Sequence, residues 1–182
     1  MSIHGTNTTS APSNGNRFQE LIQITPPVTL CIITTCTVLY IIFEVLLDIN
    51  ISTITFSPQL ILYHGQVYRI VTSVLFHANT IHIAMNMISS YPLCTLLEQQ
   101  IGSFRLLYTV VLSMIMTASL SIGTAFILST IFHYDSLMHQ HSIGFSGILF
   151  HLSVLECHIN PNIRRNLFGM FEIPSYLYPW AL

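Results

Sequence analysis

The sequence contains little charge and no lysine. Asp, Glu, Lys and Arg make up 7% of its 182 residues, and all five basic residues are arginine. A typical soluble domain carries about 25% charged residues, so this composition excludes that class. The net charge of −2 leaves no basic patch, which excludes nucleic acid as a partner.

Patterns that bind metal are also scarce. The four cysteines are spread along the chain without a CxxC pair, which argues against a zinc site or a disulfide framework. His77 and His82 are five residues apart and so lie on different faces of a helix, and no carboxylate or cysteine is close in sequence. We therefore predict no metal and no cofactor.

The chain has long apolar runs instead. Hydrophobic residues make up 52% of it, the mean hydropathy is +0.64, and uncharged segments cover residues 21–43, 70–97, 106–134 and 136–155. Each segment supplies the roughly 20 apolar residues that cross a bilayer core. We predict an all-α polytopic membrane protein in contact with lipid, with four complete transmembrane helices. They lie at about residues 26–47, 80–98, 104–132 and 142–159, and a fifth helix begins at about residue 175.

The arginines predict the orientation of the chain. Residues 1–24 are expected to form a disordered cytosolic tail, and residues 25–182 the membrane domain. With the N-terminus in the cytosol, Arg69 is the one arginine outside. This arrangement follows the excess of basic residues found in cytosolic segments. The cytosolic arginines are then Arg17, Arg105, Arg164 and Arg165.

The residues between the first two spans predict a short helix at the outer interface. Ser57 is suited to be its N-cap, Pro58 its first residue and Gly65 its end.

Ser146, in the sequence Gly144-Phe-Ser-Gly147, is a candidate for chemistry. A hydroxyl where a membrane-spanning helix begins gains little from packing against lipid. Gly144 lets the backbone turn tightly, and Gly147 removes a side chain that would crowd anything approaching the hydroxyl. Because a G-x-S-G tetrapeptide turns up by chance in about one chain of this length in twenty, the surrounding sequence must decide its meaning.

His82 and Asn86 are four residues apart, so they share one helix face. In lipid both need a hydrogen-bond partner, and interhelical hydrogen bonding remains a full alternative to a functional role. The second and fourth spans run in the same direction, so their first turns lie at one depth and these side chains can converge with Ser146. Together with the free N–H groups of the fourth helix, they could hold an oxyanion.

Small residues recur at every fourth position of the third span, which predicts a packing seam against a neighbouring helix. The stripe comprises Thr109, Ser113, Thr117, Ser121, Ala125 and Ser129.

Several motifs together resemble the rhomboid intramembrane serine proteases. They are Gln66-Val-Tyr-Arg-Ile-Val-Thr, the H-A-x-x-x-H-x-x-x-N pattern over residues 77–86, Leu97-Glu98 with Gly102-Ser103, and Gly144-Phe-Ser-Gly147. Within that family the chain looks most like the branch with a C-terminal ubiquitin-associated domain. The segments Ser103-Phe-Arg-Leu-Leu-Tyr108, Ile143-Gly-Phe-Ser-Gly-Ile-Leu-Phe150 and Leu177-Tyr-Pro-Trp180 carry that likeness.

The resemblance implies roles for the candidate residues. Ser146 would attack a peptide bond of a transmembrane protein substrate, and His82 and Asn86 would stabilise the oxyanion, with His77 near them as a weaker candidate. Arg69 stands in the family's aromatic-Arg motif, and Glu98 matches a glutamate that braces the first loop. The branch resemblance suggests the endoplasmic reticulum or Golgi.

The resemblance also implies a general base that these residues do not supply. Rhomboids take it from a histidine on their sixth helix, so we expect a C-terminally incomplete rhomboid, and we predict that these 182 residues alone hydrolyse nothing. The alternative is a non-catalytic rhomboid-like protein that binds transmembrane or quality-control partners.

Overall fold

The computed structural model describes residues 25–47, 50–167 and 171–181, which are mostly helical. The predicted tail, residues 1–24, lies outside the described residues. The α-helices are, in chain order, α1 Pro27–Tyr40, α2 Pro58–His64, α3 Arg69–Leu75, α4 Thr80–Ile101, α5 Ser103–Phe132, α6 Ser146–Ile159 and α7 Tyr178–Ala181. A π-helical segment, Ile41–Leu46, continues α1, and 3-10 turns lie at Ile51–Thr53, Asp135–Leu137 and Ser175–Leu177.

The helices differ in how well they suit a bilayer. Among the described residues, α5 is the one helix that is long and apolar enough to cross it alone, while Pro27–Phe43 and Ser146–Ile159 are apolar but shorter. α4 has 22 residues, about 33 Å at 1.5 Å per residue, but polar side chains such as Asn86 and Glu98 lower its hydropathy. The helical bundle agrees with the predicted class, and the number of spans stays a prediction.

A small β-hairpin that the sequence did not predict accompanies the helices. β1 (Arg164–Leu167) pairs antiparallel with β2 (Phe171–Pro174), and Arg164 lies opposite Pro174. Each strand has four residues, which is too short for an alternating pattern to stand out in the sequence. The hairpin connects α6 to the 3-10 turn before α7.

The fourth predicted span begins later than expected. α6 starts at Ser146 rather than at residue 142, because Ser142 and Phe56 form an antiparallel bridge with N–H···O distances of 2.8 and 3.1 Å. Gly144 then adopts a φ of +110°, which no α-helix contains. These residues form a turn instead of a first helical turn, in a conformation that glycine adopts without steric cost.

The loop before α4 contains two short helices. α2 runs over Pro58–His64 and Gly65 ends it in the left-handed region at φ +64°, as predicted. Ser57 takes the N-cap position, but its side chain makes no capping hydrogen bond. α3 was not predicted, because six of its seven residues belong to the apolar run at residues 70–97.

α4 and α6 run in the same direction, as predicted. At one end, called the upper end here, Gly144 contacts His82 of α4. At the other, the lower end, Gln100 and Asn160 exchange two hydrogen bonds of 3.2 and 3.1 Å. Between them lies an apolar core of Cys94, Leu97, Leu106, Phe145, Ile148, Leu149 and Leu152.

Candidate active site

Gly144 brings the turn before α6 against two side chains of α4. A Cβ atom at Gly144 would lie 2.6 Å from His82 Cε1, 2.7 Å from His82 Nε2 and 3.4 Å from Asn86 Nδ2. Glycine is required because a side chain would collide with His82 and because φ is +110°. His82 and Asn86 therefore lie beside the backbone two residues before Ser146.

Ser146 is the first residue of α6 and its side chain is exposed. The turn that carries it is fixed on both sides. Phe145 is 1% exposed within the core, and the Gly144 N–H donates to the Ser73 carbonyl over 2.6 Å. The first N–H groups of a helix have no partner within it, and the helix dipole favours negative charge there. A developing oxyanion beside Ser146 would meet these donors.

Asn86 keeps a buried donor free. The residue is 5% exposed, and its Nδ2 has no hydrogen-bond partner among the described residues. Buried polar atoms of this kind are rare in folded proteins and call for an explanation. An amide donor left unpaired beside the Ser146 turn is suited to receive an oxygen atom that arrives with a substrate.

His77 lies behind His82 in the connector between α3 and α4. Its ring is 2% exposed, neither ring nitrogen meets a partner among the described residues, and its centroid lies 5.3 Å from that of His82 in an edge-to-face contact. Burial, and less strongly the neighbouring His82, lowers the pKa of His77 to about 4. The ring is therefore neutral at pH 7 and packs edge-to-face against His82.

A cavity of about 200 Å³ opens beside Ser146, between α5, α6 and the loop before α4. Five of the residues that line it carry hydroxyl groups, namely Ser73, Thr117, Ser121, Ser142 and Ser146. Apolar walls come from residues such as Phe56, Ile70 and Met114. A space of this size beside the nucleophile candidate admits a small side chain or several waters.

The cavity corrects the prediction of a continuous packing seam on the third span. Ser113 and Ala125 of the stripe are buried, at 0% and 1% exposure, as a seam requires. Thr117 and Ser121 line the cavity and are exposed instead. The middle of the stripe therefore faces open space beside Ser146 rather than a neighbouring helix.

Gly147 also lines the cavity, but the fold does not require a glycine there. A Cβ atom would meet only the Thr117 methyl group at 3.7 Å, an ordinary contact. A side chain at this position would project into the cavity. The predicted reason for Gly147, space beside the hydroxyl, fits this position.

Arg69 braces the loop before α4. It is 5% exposed and donates to the carbonyls of Ser52 (2.9 Å) and Thr55 (2.7 Å) and to Gln66 Oε1 (2.6 Å). Because Phe56, next to Thr55, pairs with Ser142, this brace extends to the turn that carries Ser146.

Glu98 has a different role from the one implied by the resemblance. It is 3% exposed, and its carboxylate accepts hydrogen bonds from Val28 N (2.9 Å), Thr29 N (2.7 Å) and Thr29 Oγ1 (2.7 Å). The prediction that Glu98 braces the first loop is wrong. It caps the first turn of α1 at the lower end, where a carboxylate also suits the helix dipole.

Three supporting contacts were not predicted. The Phe56–Ser142 bridge and the Ser73 carbonyl hold the turn through backbone atoms, which no side-chain pattern reveals. His141 Nδ1 bonds Thr55 Oγ1 over 2.8 Å, and a histidine in a polar loop carries no sequence signal for such a partner.

Comparison with known proteins identifies the family. Residues 64–182 match the family model described as "Rhomboid domain". The chain is 36% identical over 159 residues to "Rhomboid-like protein 15" of Arabidopsis thaliana, covering 86% of this chain and 40% of that protein. It therefore belongs to the rhomboid family.

More distant relatives carry the same family name. "Rhomboid-like protein 14, mitochondrial" of Arabidopsis thaliana is 29% identical over 86% of this chain and 47% of its own length. Human "Rhomboid-related protein 4" is 29% identical over 62% of this chain and 36% of its own length. The chain thus spans less than half the length of these curated relatives.

Proposed function

We propose that this chain carries the nucleophile and the oxyanion site of an intramembrane serine endopeptidase that cleaves transmembrane substrates. The observation that carries the proposal is the packing of Gly144 against His82 and Asn86, which sets the Ser146 turn beside an unpaired buried donor. Membership of the rhomboid family supports the same reaction class.

The proposed chemistry is acyl transfer. Ser146 Oγ attacks the carbonyl carbon of a peptide bond while its proton passes to a general base. His82, Asn86 Nδ2 and the Ser146 N–H stabilise the oxyanion. The C–N bond then breaks, the amine leaves with the proton, and water releases the acyl group from Ser146.

The general base is the part that the described residues do not supply. No histidine among them hydrogen-bonds Ser146 Oγ, and His151, five residues on, points about 140° away around α6. We propose that the 182 residues alone are inactive and that a histidine on a further helix completes the site.

Reporter cleavage tests this proposal. The chain and a fusion that adds the fifth and sixth helices of an active rhomboid are reconstituted in liposomes with a transmembrane reporter. We expect cleavage by the fusion alone, and loss of cleavage with Ser146→Ala but not with Ser119→Ala, an exposed serine of α5 outside the cavity. Cleavage that survives Ser146→Ala would refute the proposal.

We also propose four spans with the N-terminus in the cytosol. In support, Arg69 lies at the upper end, while Arg105 and Arg164 follow the lower ends of α4 and α6. The endoplasmic reticulum or Golgi is the proposed compartment, and the name of one relative adds mitochondria as an outcome to test by imaging.

The second candidate is a non-catalytic rhomboid-like protein that binds transmembrane or quality-control partners. The observation that favours it is the lack of a histidine bonded to Ser146 Oγ among the described residues. It predicts that the fusion binds the reporter without cleaving it, and that Ser146→Ala leaves binding unchanged.

A further inference from the structure

The lower ends of α4 and α6 are joined by a pair of side-chain amides. Gln100 Nε2 donates to Asn160 Oδ1 over 3.2 Å, and Asn160 Nδ2 donates to Gln100 Oε1 over 3.1 Å. Asn160 Nδ2 also donates to Glu156 Oε1 over 2.9 Å. The mechanism proposed above uses none of these three residues.

Glu156 fixes the orientation of the pair. It is 2% exposed, and its Oε1 accepts the hydrogen bond that Asn160 Nδ2 donates. The Asn160 nitrogen must therefore face Glu156, which leaves the Asn160 oxygen for Gln100 Nε2. With this orientation Gln100 and Asn160 can satisfy both of their mutual hydrogen bonds.

Gln100 and Asn160 lie equally far along their helices from the candidate site. Gln100 follows Asn86 by 14 residues on α4, and Asn160 follows Ser146 by 14 residues along α6, about 21 Å in each case. A slip of either helix by one residue, about 1.5 Å, would break both amide bonds and displace Ser146 from Asn86.

We propose that Gln100 and Asn160, oriented by Glu156, form a latch that sets the register of α6 against α4 and so positions Ser146 against Asn86. The consequence for catalysis rests on the proposed function, whereas the register itself does not. Gln100 is exposed, so water can replace its partner at little cost in stability. Hydrogen bonds to water would not hold the two helices in register. Gln100, Asn160 and Glu156 are therefore positioning residues.

Distance measurement between α4 and α6 tests the latch without requiring activity. Spin labels are placed by Ile88→Cys and Val154→Cys, both exposed positions, after the exposed thiol is removed by Cys31→Ser. The labelled 182-residue chain is studied by pulsed electron resonance in phosphatidylcholine liposomes. We expect one narrow distance distribution.

Asn160→Asp is the informative variant, because it keeps the side-chain shape, loses both Nδ2 donors and faces Glu156 with a second carboxylate. We expect a broader distribution with a mean shifted by about 1–2 Å, the scale of helix shifts in known switches. Gln100→Ala should act likewise, Glu156→Gln should keep the narrow distribution, and Gln99→Ala, the exposed neighbour, should match the wild type.

A purely structural role gives a different result. It would lower the melting temperature of Asn160→Asp and Gln100→Ala while leaving the distribution of the folded protein unchanged, and that outcome would overturn the latch. In the active fusion the latch predicts a lower kcat with an unchanged KM. An inactive fusion with the expected distances would refute the proposed function and leave the latch standing.

Discussion

The two ends of α4 differ in whether their polar side chains have hydrogen-bond partners. At the lower end every carboxylate oxygen of Glu98 has a donor, and Gln100 and Asn160 satisfy each other. At the upper end, Asn86 Nδ2 and both nitrogens of His77 are buried without a partner among the described residues. Thr95 Oγ1, between the two ends, is likewise buried without a partner among the described residues. What distinguishes the upper end is that three such atoms lie there together, and this clustering marks the place where a ligand atom is expected.

Gly144→Ala should have the largest effect on cleavage, because it disrupts the contact of the turn before α6 with His82 at the upper end of α4. The new Cβ would lie 2.6 Å from the His82 ring, so the ring or the turn must move. In the active fusion we expect reporter cleavage to fall by at least 10²–10³-fold, about the effect of losing one oxyanion donor. Gly123→Ala is the matched control, because an added Cβ there meets nothing within 4 Å and the residue lies outside the cavity, so cleavage should stay at the wild-type level. Equal cleavage by wild type and Gly144→Ala would contradict this geometry.

Asn86→Leu separates activity from stability at the same end. It removes a buried unpaired donor, so we expect the protein to be as stable as the wild type or slightly more so. Cleavage by the fusion should nevertheless fall by about 10²–10³-fold. Thermal unfolding and reporter kinetics on one preparation check both. A large loss of stability would show that Asn86 serves in interhelical hydrogen bonding instead.

Glu98→Gln should lower stability and leave the activity of the folded protein unchanged, which is the reverse of the result expected for Asn86→Leu. The amide nitrogen of glutamine would face a backbone N–H of α1, so we expect a loss of about 1–3 kcal/mol in the free energy of unfolding. Denaturant titration in detergent measures it, with Gln99→Glu as an exposed control. Activity per folded molecule should stay near that of the wild type. A specific loss of activity without destabilisation would break the contrast between the two ends.

Arg69→Lys should have the smallest effect of the four. Lysine keeps the charge but does not reproduce the three hydrogen bonds of the guanidinium fork, so the loop should loosen by about 1–2 kcal/mol. Hydrogen exchange of residues 52–56 reports this directly. Unchanged protection of these residues would show that Arg69 does not brace the loop.

Side-chain patterns predicted more of the site than backbone contacts did. The spacing of His82 and Asn86 and the glycine before Ser146 were enough to predict that this part of α4 lies at the depth of the turn before α6, where Gly144 contacts both side chains. Helix direction and periodicity fix this depth and face. The Phe56–Ser142 bridge, the Ser73 carbonyl and the four-residue strands were not predictable in this way. They depend on backbone atoms, which are the same in every residue.

Two errors have physical causes as well. Glu98 was assigned to the loop by resemblance, while the structure shows its carboxylate on the free N–H groups of α1. The stripe on α5 was interpreted as a seam because small residues permit close packing. Thr117 and Ser121 show that the same residues can also line a cavity.

Covalent labelling of the active fusion with a fluorophosphonate tests the central assignment most directly, because its phosphoryl oxygen occupies the place of the oxyanion. Mass spectrometry should find one adduct, on Ser146, with a labelling rate that falls in His82→Ala and Asn86→Ala. An adduct on Ser121, which lines the same cavity, or labelling that persists in Ser146→Ala would contradict the assignment.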